Sequence, residues 1–237
     1  MGKAWLVGAR QGKTGMEFLN KKVKGSERMA KAKAVSVTAT GSETATQISI
    51  PEIDVQGGRI YIKGTTSLIV HAWDEKVKRE MLDKQMNKPR AKKGAKNPEA
   101  DFESSKYKNA KGEDCFPSIG FKAAIVSAAR FLSKDVKMTM LRGALFIEQD
   151  LVPIKYESCV MREDMVRVGM GSADLRYRAE YINWHAVLSI QYDAGVINPA
   201  QIANLLNHAG FSVGIGEWRP ERNGQFGRFR VVNEGDI

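Results

Sequence analysis

Residues 184–232 read WHAVLSIQYDAGVINPAQIANLLNHAGFSVGIGEWRPERNGQFGRFRVV, and this stretch decides the fold. Trp184, Ala186, Leu188, Ile190 and Tyr192 alternate with His185, Val187, Ser189 and Gln191, the period-two pattern of a half-buried strand. Asn198-Pro199-Ala200-Gln201 then supplies an N-cap, a proline at the first helical position and a glutamine three residues after the cap. Ile202, Leu205, Leu206 and Ala209 form the buried stripe, and Gly210 suits the position where a left-handed residue ends a helix. After a glycine-rich segment, residues 226–232 close with a final strand. This ending predicts an α+β fold with helices on one face of an antiparallel sheet.

The preceding chain extends the pattern. Ile48, Ile50, Ile53 and Val55 mark an extended segment interrupted by Pro51, and a strand over 59–70 is opened by Gly57-Gly58. Asp74 caps a predicted helix whose Val77, Met81, Leu82 and Met86 fall at helical spacing. Residues 87–98 read as a basic loop. Pro117 introduces a second helix, with Phe121, Ala124, Ile125, Ala128 and Leu132 on one face and Lys122 and Arg130 elsewhere. Short strands are predicted at 143–148 and 151–155, turning at Asp150, followed by a β-hairpin over about 156–180. Residues 1–46 carry few periodic apolar positions and read as a basic arm that is flexible or orders only on a partner. Met29 offers an internal start. Residues 47–237 then form a single domain.

The 237 residues are 43% hydrophobic and 27% charged, as in a protein that buries a core. No apolar run approaches the roughly 20 residues of a membrane span, and the first residues lack a secretory apolar region. Cys115 and Cys159 are too far apart in sequence for a C-x-x-C unit, which indicates a reduced, cytoplasmic setting. The net charge of +10 is localised. Residues 1–35 and 76–96 each hold nine basic and two acidic residues, leaving the remainder at about −4. That distribution points to a polyanion partner, although two solvated charged stretches would give the same count.

Catalytic and metal chemistry find little support. Gly8-Ala9-Arg10-Gln11-Gly12-Lys13-Thr14 has three residues between its glycines where a phosphate-binding P-loop needs four. His71, His185 and His208 show no ligand spacing with the cysteines. No catalytic residue, metal or cofactor is expected. Between Met161 and Arg178, Arg162, Arg167, Arg176 and Arg178 interleave with Met161, Met165, Met170 and Tyr177. Thioethers adapt to irregular apolar surfaces and guanidinium groups fork onto phosphate. A hairpin whose methionines pack on the sheet explains the pattern equally well. In the C-terminal run, Gly214, Gly216, Gly224 and Gly227 interleave with Trp218, Arg219, Arg222, Phe226 and Arg228. Such a run lets backbone approach a phosphate beside stacking partners. Asn223-Gly224 alone would make it a tight hairpin turn, but that turn has no need of Gly214 and Gly216.

A strand behind Trp184, an N-P-x-Q helix and the run G-x-G-x-x-R-x(4)-G-x-x-G-R-F resemble the C-terminal half of the RAMP superfamily. These are the repeat-associated proteins of CRISPR effector complexes, and the nearer likeness is to their backbone subunits or a phage-encoded relative. The resemblance covers Ala173–Val232 and, loosely, the hundred residues before it; the family's longer insertions are missing. It implies an RRM-like, ferredoxin-like body that binds guide RNA along its phosphates and assembles into a filament. By position, Gly214, Gly216, Gly224 and Gly227 match the family's glycine-rich loop and Arg219 its basic residue. The methionine–arginine hairpin stands where such subunits carry a base-separating thumb.

The expectation is a non-catalytic protein that binds single-stranded RNA or DNA and oligomerises along it. Its interface would comprise Lys88, Arg90, Lys92, Lys93, Arg162, Arg167, Arg176 and the run from Gly214 to Arg228. Two other readings are a phage single-strand annealing or recombination protein, and a virion or scaffold protein whose basic arm contacts DNA. A nuclease would need Glu217 or Glu221, both of which are expected to pair with arginines.

Overall fold

The computed structural model describes residues 52–73, 75–88, 95–132, 136–168 and 171–237. The expected arm, Met29, the 8–14 segment, Ile48, Ile50, Asp74, Arg90, Lys92, Lys93 and Met170 lie outside them. No helix among the described residues is long and apolar enough to cross a membrane.

Among the described residues, ten strands and five α-helices follow in the order β1 (Val55–Gly64), β2 (Leu68–Val70), α1 (Glu75–Gln85), α2 (Pro98–Ser104), β3 (Tyr107–Lys108), β4 (Asp114–Pro117), α3 (Ser118–Ala128), α4 (Met138–Ala144), β5 (Leu145–Ile147), β6 (Leu151–Lys155), β7 (Ser158–Val168), β8 (Ser172–Ile182), β9 (His185–Asp193), α5 (Pro199–His208) and β10 (Phe229–Val232). The main sheet runs β10-β1-β9-β6-β4-β3, with β5 and β6 sharing one edge of β9. Taken as β1–α3–β6–β9–α5–β10, the centre is a ferredoxin-like βαββαβ unit with fully antiparallel pairing. A second sheet, β2-β8-β7, is built on the predicted hairpin.

Alternation creates the core. Ile60 and Ile62 of β1, Ala186, Leu188, Ile190 and Tyr192 of β9, and Val152 and Ile154 of β6 all turn inward. They meet Phe121 and Ile125 of α3 and Ile202, Leu205 and Leu206 of α5. α5 begins as predicted, with Asn198 and Gln201 forming a reciprocal capping box.

Several expectations are corrected. The strand predicted over 59–70 breaks at Thr65–Ser67. The Trp184 indole stands over Gly64 and donates to the Thr66 carbonyl at 2.9 Å, turning β2 into the other sheet. No proline or loop composition marks that break. Gly57-Gly58 lie within β1 instead of opening it. α2 starts at the last residue of the expected 87–98 loop, where Asn97-Pro98 repeats the cap signal of Asn198-Pro199; the Asn97 side chain accepts from the amides of Glu99 and Ala100. The strand predicted from residue 143 starts only at Leu145, because α4 occupies 138–144. Met81 and Leu82 on α1, and Met86 in the turn just after it, are exposed. Helical spacing identifies an apolar face but not what covers it, and α3 and α5 already cover the sheet.

The last correction concerns Gly210 and the closing strand. Gly210 lies inside a π-turn, Ala209–Val213, and the left-handed residue ending that turn is Gly214 at φ 70°. A Cβ on Gly210 would overlap the Phe229 carbonyl. Residues 226–228 are held in the preceding loop, so β10 starts at Phe229. Close approach therefore explains Gly210. Gly210→Ala is expected to destabilise the fold by more than about 1 kcal/mol in urea unfolding, whereas relief of a helix-interior glycine alone would stabilise it by about that amount.

Candidate nucleic-acid interface

The glycine run begins where α5 and its π-turn end, so the helix cap aims it at the second sheet. Backbone hydrogen bonds then fasten it there. Gly227 N donates to Ser67 O at 2.8 Å, Glu217 N to Ile69 O at 2.8 Å, and Ile215 N to Gly227 O at 3.0 Å. Pro220–Arg222 form one 3-10 turn closed by Asn223 at φ 60°. Asn223-Gly224 is thus not a two-residue hairpin turn. The glycines answer to internal crowding: a Cβ on Gly216 would overlap Ile69 O, and one on Gly224 would overlap Trp218 O.

Most arginines here already have partners. Arg219 holds Glu221 at 3.0 Å and donates to Gly216 O at 3.1 Å, while Arg130 reaches Glu221 at 3.0 Å. Burial pushes the Glu221 carboxyl up, but the bond and charge of Arg219 and the charge of Arg130 outweigh it, and the net shift is downward. Arg162 bonds Asp164 at 2.9 Å and Glu180 at 3.2 Å, and its guanidinium lies 4.8 Å from the centre of the Phe226 ring. That contact joins hairpin to glycine loop. Beneath it Arg178, only 2% exposed, bonds Asp164 at 3.2 Å and approaches Glu217 at 3.7 Å. Both glutamates of the loop pair with arginines as expected.

The other predicted cations disperse. Arg176 faces Asp174 at 3.5 Å, and Lys88 pairs with Asp83 at 2.8 Å on exposed α1. Arg167 lies exposed on β7, and Arg222 is exposed on the loop. Arg228 stacks 4.7 Å from the Phe211 ring centre. Met161 and Met165 are exposed, so these two methionines do not serve as sheet packing.

Two clefts connect these parts. The larger, about 550 Å³, lies among α1, α2 and β8 and is lined by Trp73, Met81, Lys96, Arg176 and Tyr177. The smaller, about 200 Å³, is lined by Gly214, Gly216, Glu217, Arg219 and Phe116. His71 lines both. Burial, aided by Arg178 and Arg176, holds its imidazole below the usual range, favouring the neutral form. The glycine loop lines the smaller cleft and Lys96 the larger, and His71 forms a wall common to the two. Tyr177 comes from the arginine–methionine segment and Lys96 from the basic 76–96 segment, whereas Trp73 carried no expectation. An exposed tryptophan just before a basic helix was the available signal for it.

The buried pair fixes the hairpin's place. Arg178→Leu leaves Asp164, 8% exposed, with Arg162 as its remaining cation and should cost about 1.5–3 kcal/mol in denaturant unfolding. Arg176→Ala, at a partly exposed pair, should cost no more than about 1 kcal/mol.

No family model and no curated protein sequence matches the chain. Among solved structures it is similar to Cmr6 from Pyrococcus furiosus, at 10% identity and a TM-score of 0.41 over 76% of this chain and 100% of that one. It is also similar to a chain in the Type III-B Cmr-beta complex bound to cognate target RNA, at 10% identity and a TM-score of 0.46. That match covers 76% of this chain and 59% of the other.

Proposed function

We propose that the chain is a non-catalytic single-stranded nucleic-acid-binding protein that assembles side by side along its ligand. The observation that carries this reading is the pair of clefts that meet at His71. One holds aromatic faces (Trp73, Tyr177) and cations (Lys96, Arg176), and the other holds Arg219 and the glycine loop. Aromatic rings beside phosphate-directed cations suit unpaired bases, whose faces are free to stack. Lys96 and Arg176 share one carboxylate, Asp174, so a phosphate can enter as a second anion between them. The 87–98 loop adds long-range attraction. A non-catalytic role agrees with the carboxylates of the glycine loop, since Glu217 and Glu221 are both held by arginines. Side-by-side assembly agrees with the exposed apolar residues Met161, Met165 and Leu175 on the hairpin, Met81 and Leu82 on α1, and Met86 just after it.

Fluorescence anisotropy with labelled oligo-dT and oligo-rU 30-mers tests the proposal. Six to eight phosphate contacts give a slope of log K against log salt of roughly −4 to −6. A flat salt dependence would contradict it. Trp73→Ala should weaken binding by about 1–3 kcal/mol without changing that slope, as expected for a lost base stack.

A further inference from the structure

β7 is the outer strand of the hairpin sheet, and among the described residues it pairs with β8 alone. Its 11 residues make an open edge of about 36 Å. An edge of that length is a template for another strand. Several of its apolar side chains stay in solvent: Val160 and Met161 are exposed, and Met165 is 71% exposed.

The sequence of this edge says what fits it. Residues 160–166 read VMREDMV, which is nearly the same chemistry in both directions about Glu163. Let a second copy run antiparallel across a two-fold axis at Glu163. Val160 then stands opposite the partner's Val166, Met161 opposite the partner's Met165, and Arg162 opposite the partner's Asp164. Leu175, also exposed, lies across the hairpin from Met165. The pairing therefore joins Leu175, Met165 and the partner's Met161 into one apolar row, repeated by symmetry. Neighbouring registers lose the match. An axis at Arg162 sets Met161 against the partner's Glu163, and an axis at Asp164 sets Arg162 against the partner's Val166. The one cost is Glu163 facing its own copy. Desolvation and a hydrogen bond to Glu163 push the Tyr177 hydroxyl up, and Tyr177 lies on β8, so that carboxylate leans back over its own hairpin.

We propose that β7 is a homodimer edge, along which two copies join antiparallel at Glu163 into one six-stranded sheet. A self-complementary surface is what a two-fold interface requires. The inference extends the assembly part of the proposed function, while the pairing itself needs no nucleic acid. Such a pair closes on itself, so the unit that lines up along a strand is a dimer.

Sedimentation velocity of the full chain at micromolar concentration, without nucleic acid, tests it. A dimer is expected. Met161→Lys/Met165→Lys puts lysines on the edge and should weaken association at least about tenfold, with the circular dichroism of the wild type retained. Glu163→Gln should tighten association about threefold by removing the facing charges. Under mild oxidation Glu163→Cys should crosslink to its own copy, because directly opposed Cα atoms lie about 4.5–5.5 Å apart. Met165→Cys, about 13 Å from its own copy, should not. A wild type that stays monomeric overturns this inference and leaves the proposed ligand standing. A dimer that the two lysines do not weaken, or in which Met165→Cys crosslinks as readily as Glu163→Cys, also overturns it. A dimer with the expected crosslink that binds neither labelled 30-mer supports the pairing and overturns the proposed ligand.

Discussion

Thr65-Thr66-Ser67 are the joint on which the arrangement depends. Gly64 N donates to Trp184 O, Thr65 N to Arg228 O, and the Trp184 indole to Thr66 O. Arg228 N returns a bond to Thr66 Oγ1 at 3.0 Å. Ser67 O accepts from Gly227, while Ser67 Oγ donates to Glu180 at 2.5 Å. Three residues thus tie the main sheet, the hairpin sheet and the glycine loop together. Trp184 is fully buried, so its single donor has to find an acceptor inside the protein, and Thr66 supplies it.

From that joint the clefts follow. β2 leaves β1 to pair with β8, and the loop 214–228 lies against β2 because their amides and carbonyls face one another. Glycine is required by this close backbone packing. Arginine is divided between two tasks. Arg178 is locked in the interior by Asp164, whereas Arg162 spans the surface between Asp164, Glu180 and the Phe226 ring. Under the proposed function, a phosphate competing for Arg162 or Arg219 would meet a carboxylate already in place, so preference for a polyanion over single anions would come from several contacts made together.

The C-terminal strand, the capped α5 and the long hairpin were legible in the sequence because each is specified locally, by alternation, by Asn198-Pro199-Ala200-Gln201 or by paired strand patterns. What escaped depends on contacts between distant residues. The break at Thr65–Ser67 is set by Trp184, more than a hundred positions away. Gly210 looks like a helix end and is a packing contact with Phe229. α2 carried its own cap signal, Asn97-Pro98, and was obscured by the surrounding lysines. Trp73 and Lys96 joined the larger cleft only through the placement of α1 and α2.

Photocrosslinking tests the central claim most directly. Oligo-rU bearing 4-thiouridine, crosslinked to the full chain and mapped by peptide mass spectrometry, should mark the peptides containing Trp73, Tyr177 and Trp218–Phe226. Crosslinks confined to α4 and α5, with none along the clefts, would contradict the account.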